Sequence, residues 1–212
     1  MEIRTFAEAD RVGLRELFGR AGEGAPSASL WGHEESEADI YLKPYMDLEP
    51  DSLFVAVVDG ALVGYLTGCR DSSAFPGESE RLEEAIRKYR LILHPKAAAF
   101  FARSMVDASW AAVRGRRTAG DFDDARWPAH LHINVAPEVR GTGAADGLMD
   151  RWLDLLRETG SPGCHLQTLV ENTRAVRFFE RKGFARHGPT PLVPGLRHHG
   201  KRLHQQTMVW SP

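Results

Sequence analysis

The sequence predicts an α/β chain: a mixed, mostly antiparallel sheet flanked by helices, with a helical insertion. Three observations carry this. Two apolar runs of strand length are joined by Asp59-Gly60, a strong hairpin signal. Segments with apolar residues three to four apart lie between the strand-like runs. After Pro128, strand and helix patterns alternate. The chain of 212 residues suits one domain spanning 1–212, with residues 71–128 inserted between strands. An apolar fraction of 42% argues against wholesale disorder, and a net charge of −2 provides no basic field for nucleic acid or an acidic membrane. Two cysteines make no disulfide framework, the N-terminus is polar, and no apolar run approaches a membrane span. These features predict a soluble, cytoplasmic protein.

In chain order, residues 2–5 read as a short strand. Residues 8–20 follow as an amphipathic helix with Val12, Leu14, Leu17 and Phe18 on its apolar stripe. The Gly/Ala/Pro/Ser-rich residues 22–29 form a loop that ends it. A second helix covers 35–45, with Pro44 near its end. The acidic residues at 34, 35, 37 and 39 read as a solvated face, or alternatively as an attractor for a cationic acceptor. Strands 52–58 and 61–68 pair antiparallel through Asp59-Gly60.

Within the insertion, Leu82, Ile86, Tyr89 and Leu93 mark one helix. Pro95 opens another that carries Phe100, Phe101, Met105 and Trp110. These two helices are expected to pack and cover one side of an acceptor cleft. Arg114-Gly-Arg-Arg117 reads as a solvated turn or as a contact for phosphate or an acidic partner. The run 130–135 alternates strictly, with His130, His132 and Asn134 on one face and Leu131, Ile133 and Val135 on the other. A helix at 143–159 turns Leu148, Trp152, Leu155 and Leu156 inward and stops at Gly160. A strand at 164–170, a helix from Asn172 as N-cap to Lys182 with Gly183 as its stop, and a closing strand at 204–210 complete the pattern.

The chemistry concentrates in residues 135–145, Val-Ala-Pro-Glu-Val-Arg-Gly-Thr-Gly-Ala-Ala, between a strand and a helix. Glycines let backbone wrap closely round a ligand, and N–H groups at a helix start favour an anion, with Arg140 adding positive charge. This is a pyrophosphate cradle in physical terms; a Gly-rich connection without a ligand is the bland alternative. The run lacks the Lys-Ser/Thr ending of a nucleotide P-loop and the G-x-G-x-x-G of a dinucleotide fold, because position 146 is Asp.

The run Arg140-x-x-Gly143-x-Ala145 resembles the [QR]-x-x-G-x-[GA] signature of the GNAT acetyltransferases. The run 171–184, with Asn172, Ala175, Phe179, Gly183 and Phe184, resembles their second signature, N-x-x-A…(Y/F)-x-x-x-G-F. The resemblance is strong over 130–185 and looser over 1–70, and the insertion departs from the family's usual short connection. With the run Pro-Ala-His-Leu-His-Ile-Asn-Val at 128–135, the chain most resembles the acetyltransferase-like domain of O-GlcNAcases and its free-standing bacterial relatives.

The resemblance implies the GNAT (acyl-CoA N-acyltransferase) fold and acetyl-CoA as co-substrate. It implies direct transfer of acetyl to an amine acceptor. Val135 would meet the pantetheine arm and the acetyl carbonyl. Arg140, Gly141, Thr142, Gly143, Ala144 and Ala145 would hold the pyrophosphate. Asn172 would reach the pantetheine, and the acetyl thioester would lie in a gap where the strand of Val135 splays from the strand of Leu169. Phe179 stands where many members carry a Tyr taken to protonate the leaving thiolate, and Phe has no proton to give. His132 and Asn134 are the candidates for guiding and deprotonating the amine, with His130 and His165 as further histidines of half-buried strands. His198-His199 has no carboxylate or Cys spaced to complete a metal site, and direct transfer needs no nucleophile at Cys164. Two rival readings stay open: a weak or inactive module that binds acyl-CoA, and a protein-binding pseudo-enzyme. Aminoglycoside, polyamine, amino acid and protein amines are all open as acceptors, and oligomeric state is unread.

Overall fold

The structure, a computed structural model, describes residues 1–21 and 30–212. The loop expected at 22–29 lies outside the described residues. An eight-stranded sheet runs in the order β1-β2-β3-β4-β5-β8-β6, with β7 paired to β8. Strand β1 is Glu2–Thr5, β2 Leu53–Val58, β3 Ala61–Cys69 and β4 Ala129–Val135. Strand β5 is Cys164–Leu169, β6 Ala185–His187, β7 Leu192–His198 and β8 Lys201–Trp210. Every pairing is antiparallel except β4 with β5. The fold is therefore the expected mixed, mostly antiparallel sheet flanked by helices. Asp59 and Gly60 turn the β2–β3 hairpin with φ of 50° and 80°, the left-handed pair that a two-residue hairpin requires.

One face of the sheet packs on α6 (Ala144–Glu158) and α7 (Thr173–Arg181). Trp152, Leu148, Leu131, Leu166, Phe179 and Met208 share that core. Gly68 makes room for it: a Cβ there would lie 2.3 Å from the Trp152 ring. The opposite face packs on α1 (Arg11–Ala21) and α3 (Lys43–Leu48), with Leu14, Leu17, Tyr45, Val55 and Tyr65 in a second core. A third apolar cluster joins Trp31 to α2 (Glu34–Tyr41), α4 (Glu78–Lys88) and α5 (Pro95–Val113).

Several expectations change at the edges. Residues Glu8–Asp10 form a 3-10 turn before α1, and Val12 is 70% exposed, so the stripe of α1 is Leu14, Leu17 and the half-buried Phe18. The helix expected at 35–45 is two helices, because Pro44 sits in the first turn of α3, where its missing N–H costs nothing. Leu93, Met105 and Trp110 lie on the solvent side of their segments. The basic stretch around His198-His199 is a hairpin turned by His199 and Gly200, with φ of 48° and 75°. Strand β7 and the short β6 are not signalled by the sequence pattern; β7 contains Pro194 and Gly195, which break strand periodicity. Gly195 brings β7 against α5: a Cβ there would lie 2.0 Å from Ser104 Oγ.

Asp107 of α5 locks that contact. It is 2% exposed and accepts from Gly195 N–H at 3.0 Å and from Arg197 at 2.8 Å, with Arg202 3.3 Å away. Burial pushes its carboxyl up, but the Gly195 N–H and Arg197 outweigh that and hold it below the ordinary range.

Candidate active site

Strands β4 and β5 are paired only at Ala129↔Cys164 and His130↔His165. Beyond that, β4 follows β3 as far as Gly64↔Val135, while β5 follows β8 as far as Leu169↔Gln205. Each strand keeps its outer ladder, so parting them sacrifices few hydrogen bonds and leaves inner backbone groups facing a gap. The gap belongs to a cavity of about 570 Å³ lined by Ile133, Asn134, Thr168, Asn172 and Phe179, among others.

At the end of β4, a turn over Pro137–Val139 leads to Gly141 and Gly143, whose φ values are 87° and 93°. A side chain would strain both positions. A Cβ at Gly141 would meet no atom within 4 Å, so this side of the loop is open. Gly143 caps α6 without any side-chain cap bond. The first N–H groups of a helix have no intrahelical acceptor, and here they stand behind an open, glycine-lined loop. That arrangement fits the diphosphate of a CoA thioester. Arg140 donates to Ala21 O at 3.2 Å, which ties its guanidinium to the end of α1. Thr142 Oγ1 donates to Val139 O at 2.8 Å and braces the turn.

Asn172 Oδ1 accepts from Ala175 N–H at 3.2 Å and caps α7. Phe179 is buried, its ring 5.4 Å from Phe178 and 5.9 Å from Phe184. It gives the cavity an apolar wall and no proton.

The polar face of β4 lies beneath α2 and α3, and its hydrogen bonds fix its protons. Ser72 Oγ donates to Pro128 O at 2.7 Å, so it must accept from His130 Nδ1–H, also at 2.7 Å. Burial holds His130 neutral by pushing its pKa well down. Its Nε2 is then a lone pair and accepts from the Tyr45 hydroxyl at 2.8 Å. With that proton used, Tyr45 Oη accepts from His132 Nε2–H at 3.1 Å. His132 is thereby set in one tautomer, with its lone pair on Nδ1. Burial, the charge of Arg81 and then His165 push the His132 pKa down to about 4, so the imidazole-like ionisation expected from sequence moves out of the neutral range. His132 lines both the large cavity and a second one of about 280 Å³. Asn134 Nδ2 donates to the Tyr65 hydroxyl at 3.1 Å, and both residues line the large cavity. His165 donates from Nδ1 to Trp127 O at 2.8 Å, away from this chain of bonds.

Sequence reasoning missed Tyr41, Tyr45, Tyr65, Ser72 and Glu78, which reach the site from distant segments. Only the strict alternation of 130–135 hinted that polar partners would be needed. Tyr41 donates to Glu78 at 2.7 Å, and burial raises the Glu78 carboxyl above its ordinary range. Glu37, grouped in sequence with a solvated face, is instead 6% exposed. Burial pushes the Cys69 and Cys164 thiols up to about 12, so neither is a ready thiolate. No cluster of metal-ligating side chains occurs among the described residues, and none of their helices is long and apolar enough to cross a membrane.

The acetyltransferase (GNAT) family model matches residues 14–184. This chain belongs to the GNAT acetyltransferase family. GNAT enzymes use acetyl-CoA as co-substrate. The fold is similar to that of a polyamine N-acetyltransferase from Drosophila melanogaster, at 18% identity and a TM-score of 0.62, over 100% of this GNAT chain and 99% of the other. It is similar to a ribosomal-protein-alanine N-acetyltransferase from Brucella melitensis, at 17% identity and a TM-score of 0.60, over 100% of both chains. A Salmonella typhimurium protein solved with its cofactor acetyl-CoA matches at 16% identity and a TM-score of 0.59, over 99% of this chain and 92% of the other.

Proposed function

We propose that this GNAT chain transfers the acetyl group of acetyl-CoA directly to a primary amine, with both substrates bound together. The observation that carries the reading is the parting of β4 and β5 after His130↔His165, which opens the cavity between His132 and Asn134 on one strand and Leu169 on the other. A thioester supplies an electrophilic carbonyl and a leaving thiolate whose pKa, about 8.5 as for Cys, makes it a fair leaving group. The chain contributes binding, orientation and proton management.

Arg140 to Ala145 are read as the diphosphate cradle, and Val135 and Asn172 as partners of the pantetheine amides. Nδ1 of His132 is read as the acceptor for an N–H of the neutral amine, aiming its lone pair; the support is the Nε2–H bond to Tyr45, which leaves Nδ1 the lone pair. With a pKa near 4, His132 orients the nucleophile and is a poor store for its proton. Tyr65 accepts from Asn134, and no bond among the described residues uses its own proton. It is the phenol offered to the departing sulfur in place of the hydroxyl that Phe179 lacks. Residues 71–128 read as an insertion that walls the acceptor side, because Glu78 and Leu82 of α4 and Phe100 and Phe101 of α5 line the cavity. The names of the Drosophila and Brucella enzymes give a polyamine and a protein alanine as their acceptors, and an amine is read as the acceptor here too. The narrower kinship with O-GlcNAcase-associated domains rests on residues 128–135 taken together with the two signatures and the insertion at 71–128. Phe179 favours one alternative, a module that binds acyl-CoA and transfers slowly.

A thermal-shift titration with acetyl-CoA tests the reading, followed by thiol release with an amine panel. Ligand at about 100 times its Kd adds about 2.7 kcal/mol of stability. Gly143→Glu puts bulk and negative charge at the cradle and is expected to abolish that shift. No response of the parent protein up to millimolar acetyl-CoA would sink the reading.

A further inference from the structure

The large cavity has a far end, away from Asn172 and Phe179, and its charged lining is all of one sign. Glu37, Glu78 and Asp121 line it, and no lysine or arginine does among the described residues. Residues 22–29 contain no lysine or arginine either. None of the three carboxylates is in an ion pair among the described residues: Asp121 stands exposed at the rim, and Glu78 is half-buried. Glu37 is 6% exposed. Its Oε1 accepts from the N–H groups of Trp31 and Gly32, both at 3.1 Å, while Oε2 takes no hydrogen bond among the described residues.

Arg81, one turn beyond Glu78, is the cation that would be expected to neutralise this end. Its charge acts on Glu78, but it makes no ion pair with it and lies outside the large cavity: it donates to Ile40 O and Gly77 O, its guanidinium 5.3 Å from the Phe75 ring and 5.8 Å from the Tyr45 ring. The two backbone bonds to Oε1 brace Trp31 and Gly32, but a neutral amide oxygen would serve them equally. Burying a charge without a cation is costly, so these contacts do not by themselves account for a carboxylate at Glu37.

A ligand does. Trp31, Phe100 and Phe101 wall the same end, with ring centroids 5.5 to 6.0 Å apart. Aromatic faces beside carboxylates suit an organic cation. Tyr41 connects this end to the reaction centre: its ring is 5.9 Å from the His132 ring, its hydroxyl donates to Glu78, and Glu37 lies one helical turn before it.

We propose that the acceptor is a small aliphatic amine carrying a second positive charge, which Glu37 and Glu78 hold while its free amino group meets His132. The inference rests on the acetyl-transfer reading. In the reaction a C–N bond forms between the amine and the acetyl carbon, the C–S bond breaks, and the thiol leaves with one proton for the one the amine sheds. A neutral-tailed amine would leave the carboxylates unpaired, and an acid-tailed amine would be repelled.

The test compares three acceptors of equal length with the full chain and acetyl-CoA: 1,4-diaminobutane, 1-aminobutane and 4-aminobutanoate, read by thiol release. The diamine should exceed 1-aminobutane in kcat/KM by about tenfold or more, as for a lost charge-assisted hydrogen bond, with 4-aminobutanoate slowest. Glu37→Gln keeps the acceptor for Trp31 and Gly32, and Glu78→Gln keeps that for Tyr41. Each should lower the diamine-to-monoamine ratio several-fold. Calorimetric titration of 1,4-diaminobutane without acetyl-CoA gives a separate readout, with heat expected from the parent and weakened in Glu37→Gln. Equal use of all three amines by the parent would overturn the cation site and leave acetyl transfer standing. Diamine binding with no thiol release from any amine would support the cation site and overturn the transfer reading. An unchanged ratio in both folded variants would also overturn the proposal.

Discussion

The two ends of the large cavity are built by different means. At the β5–α7 end, neighbours in sequence make the walls: a strand, a turn and a helix start, in order, twice over, with a glycine turn before α6 and the Asn172 cap before α7. Backbone N–H groups, left-handed glycines and the Asn172 cap do the shaping there. At the opposite end the walls come from α2, α4, α5 and the segment at Trp31, held by single side-chain contacts across 30 to 90 residues of sequence. Binding of a common cofactor can be encoded in backbone geometry, whose residue preferences are strict. Choice of an acceptor is encoded in side chains whose partners are set by packing.

The largest expected effect falls where the two ends meet. His132→Ala should lower kcat by about 10²-fold, the order expected when a reacting group loses its positioning partner. Tyr45→Phe, which frees the His132 tautomer without touching the cavity wall of His132, should cost about tenfold. The pH profile separates orientation from simple base catalysis. With its pKa near 4, His132 contributes no limb between pH 6 and 9, where the rate should follow the amine's own ionisation in parent and variant alike. A limb near pH 6.5 that vanishes in His132→Ala would break the tautomer argument. The same depressed pKa makes the fold acid-sensitive: between pH 6.5 and about 4 the unfolded histidine takes a proton that the folded one refuses, so stability falls as pH drops through that window. Melting temperatures of parent and His132→Gln across pH 4 to 7 would check this, with a shallower decline in the variant.

A middle-sized effect tests how the acceptor end is held. Asp107→Ala leaves Gly195 N–H and Arg197 without their buried acceptor and should cost about 1–3 kcal/mol. It should also loosen α5, seen as new proteolytic cuts in residues 80–110. Because the Asp107 carboxyl is held below its ordinary range, its contribution is present above about pH 4 and fades as pH falls below that. Urea denaturation at pH 7 measures the loss, and a difference under about 0.5 kcal/mol would show that α5 is held by apolar contact alone.

The smallest effect lies at the cofactor end. Phe179→Tyr should leave acetyl-CoA affinity nearly unchanged and raise turnover by a few-fold at most if Tyr65 already supplies the sulfur with a proton. A gain of a hundredfold would show that the thiolate left unassisted in the parent. Steady-state thiol release with a saturating amine decides between the two.

Much of this was legible in the residues themselves. Asp59-Gly60, the alternation of 130–135 and the stops at Gly160 and Gly183 placed strands and helices within a residue or two, because each rests on local backbone preference. Errors came where tertiary context overrides local pattern. Met105 and Trp110 have helical spacing but face solvent, since α5 buries Ala97, Asp107 and Ala111 instead. A polar residue taking the core side of a helix cannot be read from hydrophobic periodicity, because its Arg197 and Gly195 partners are about 90 residues away.

By itself the sequence determined the order of most elements, β6 and β7 excepted, and the glycine-rich turn before α6. It also set the polar face of β4 and the absence of a hydroxyl at Phe179, because these are read from single residues or from residues close together in the chain. Only the tertiary structure decided that β4 and β5 part after one residue pair beyond Ala129↔Cys164, and that His132 carries its lone pair on Nδ1. It alone turned Glu37 from a surface residue into a buried cavity carboxylate with no ion pair among the described residues. Strand divergence, proton placement and burial of charge are each set by which distant groups compete for the same hydrogen bonds and the same space. No stretch of sequence shorter than the whole fold contains that information.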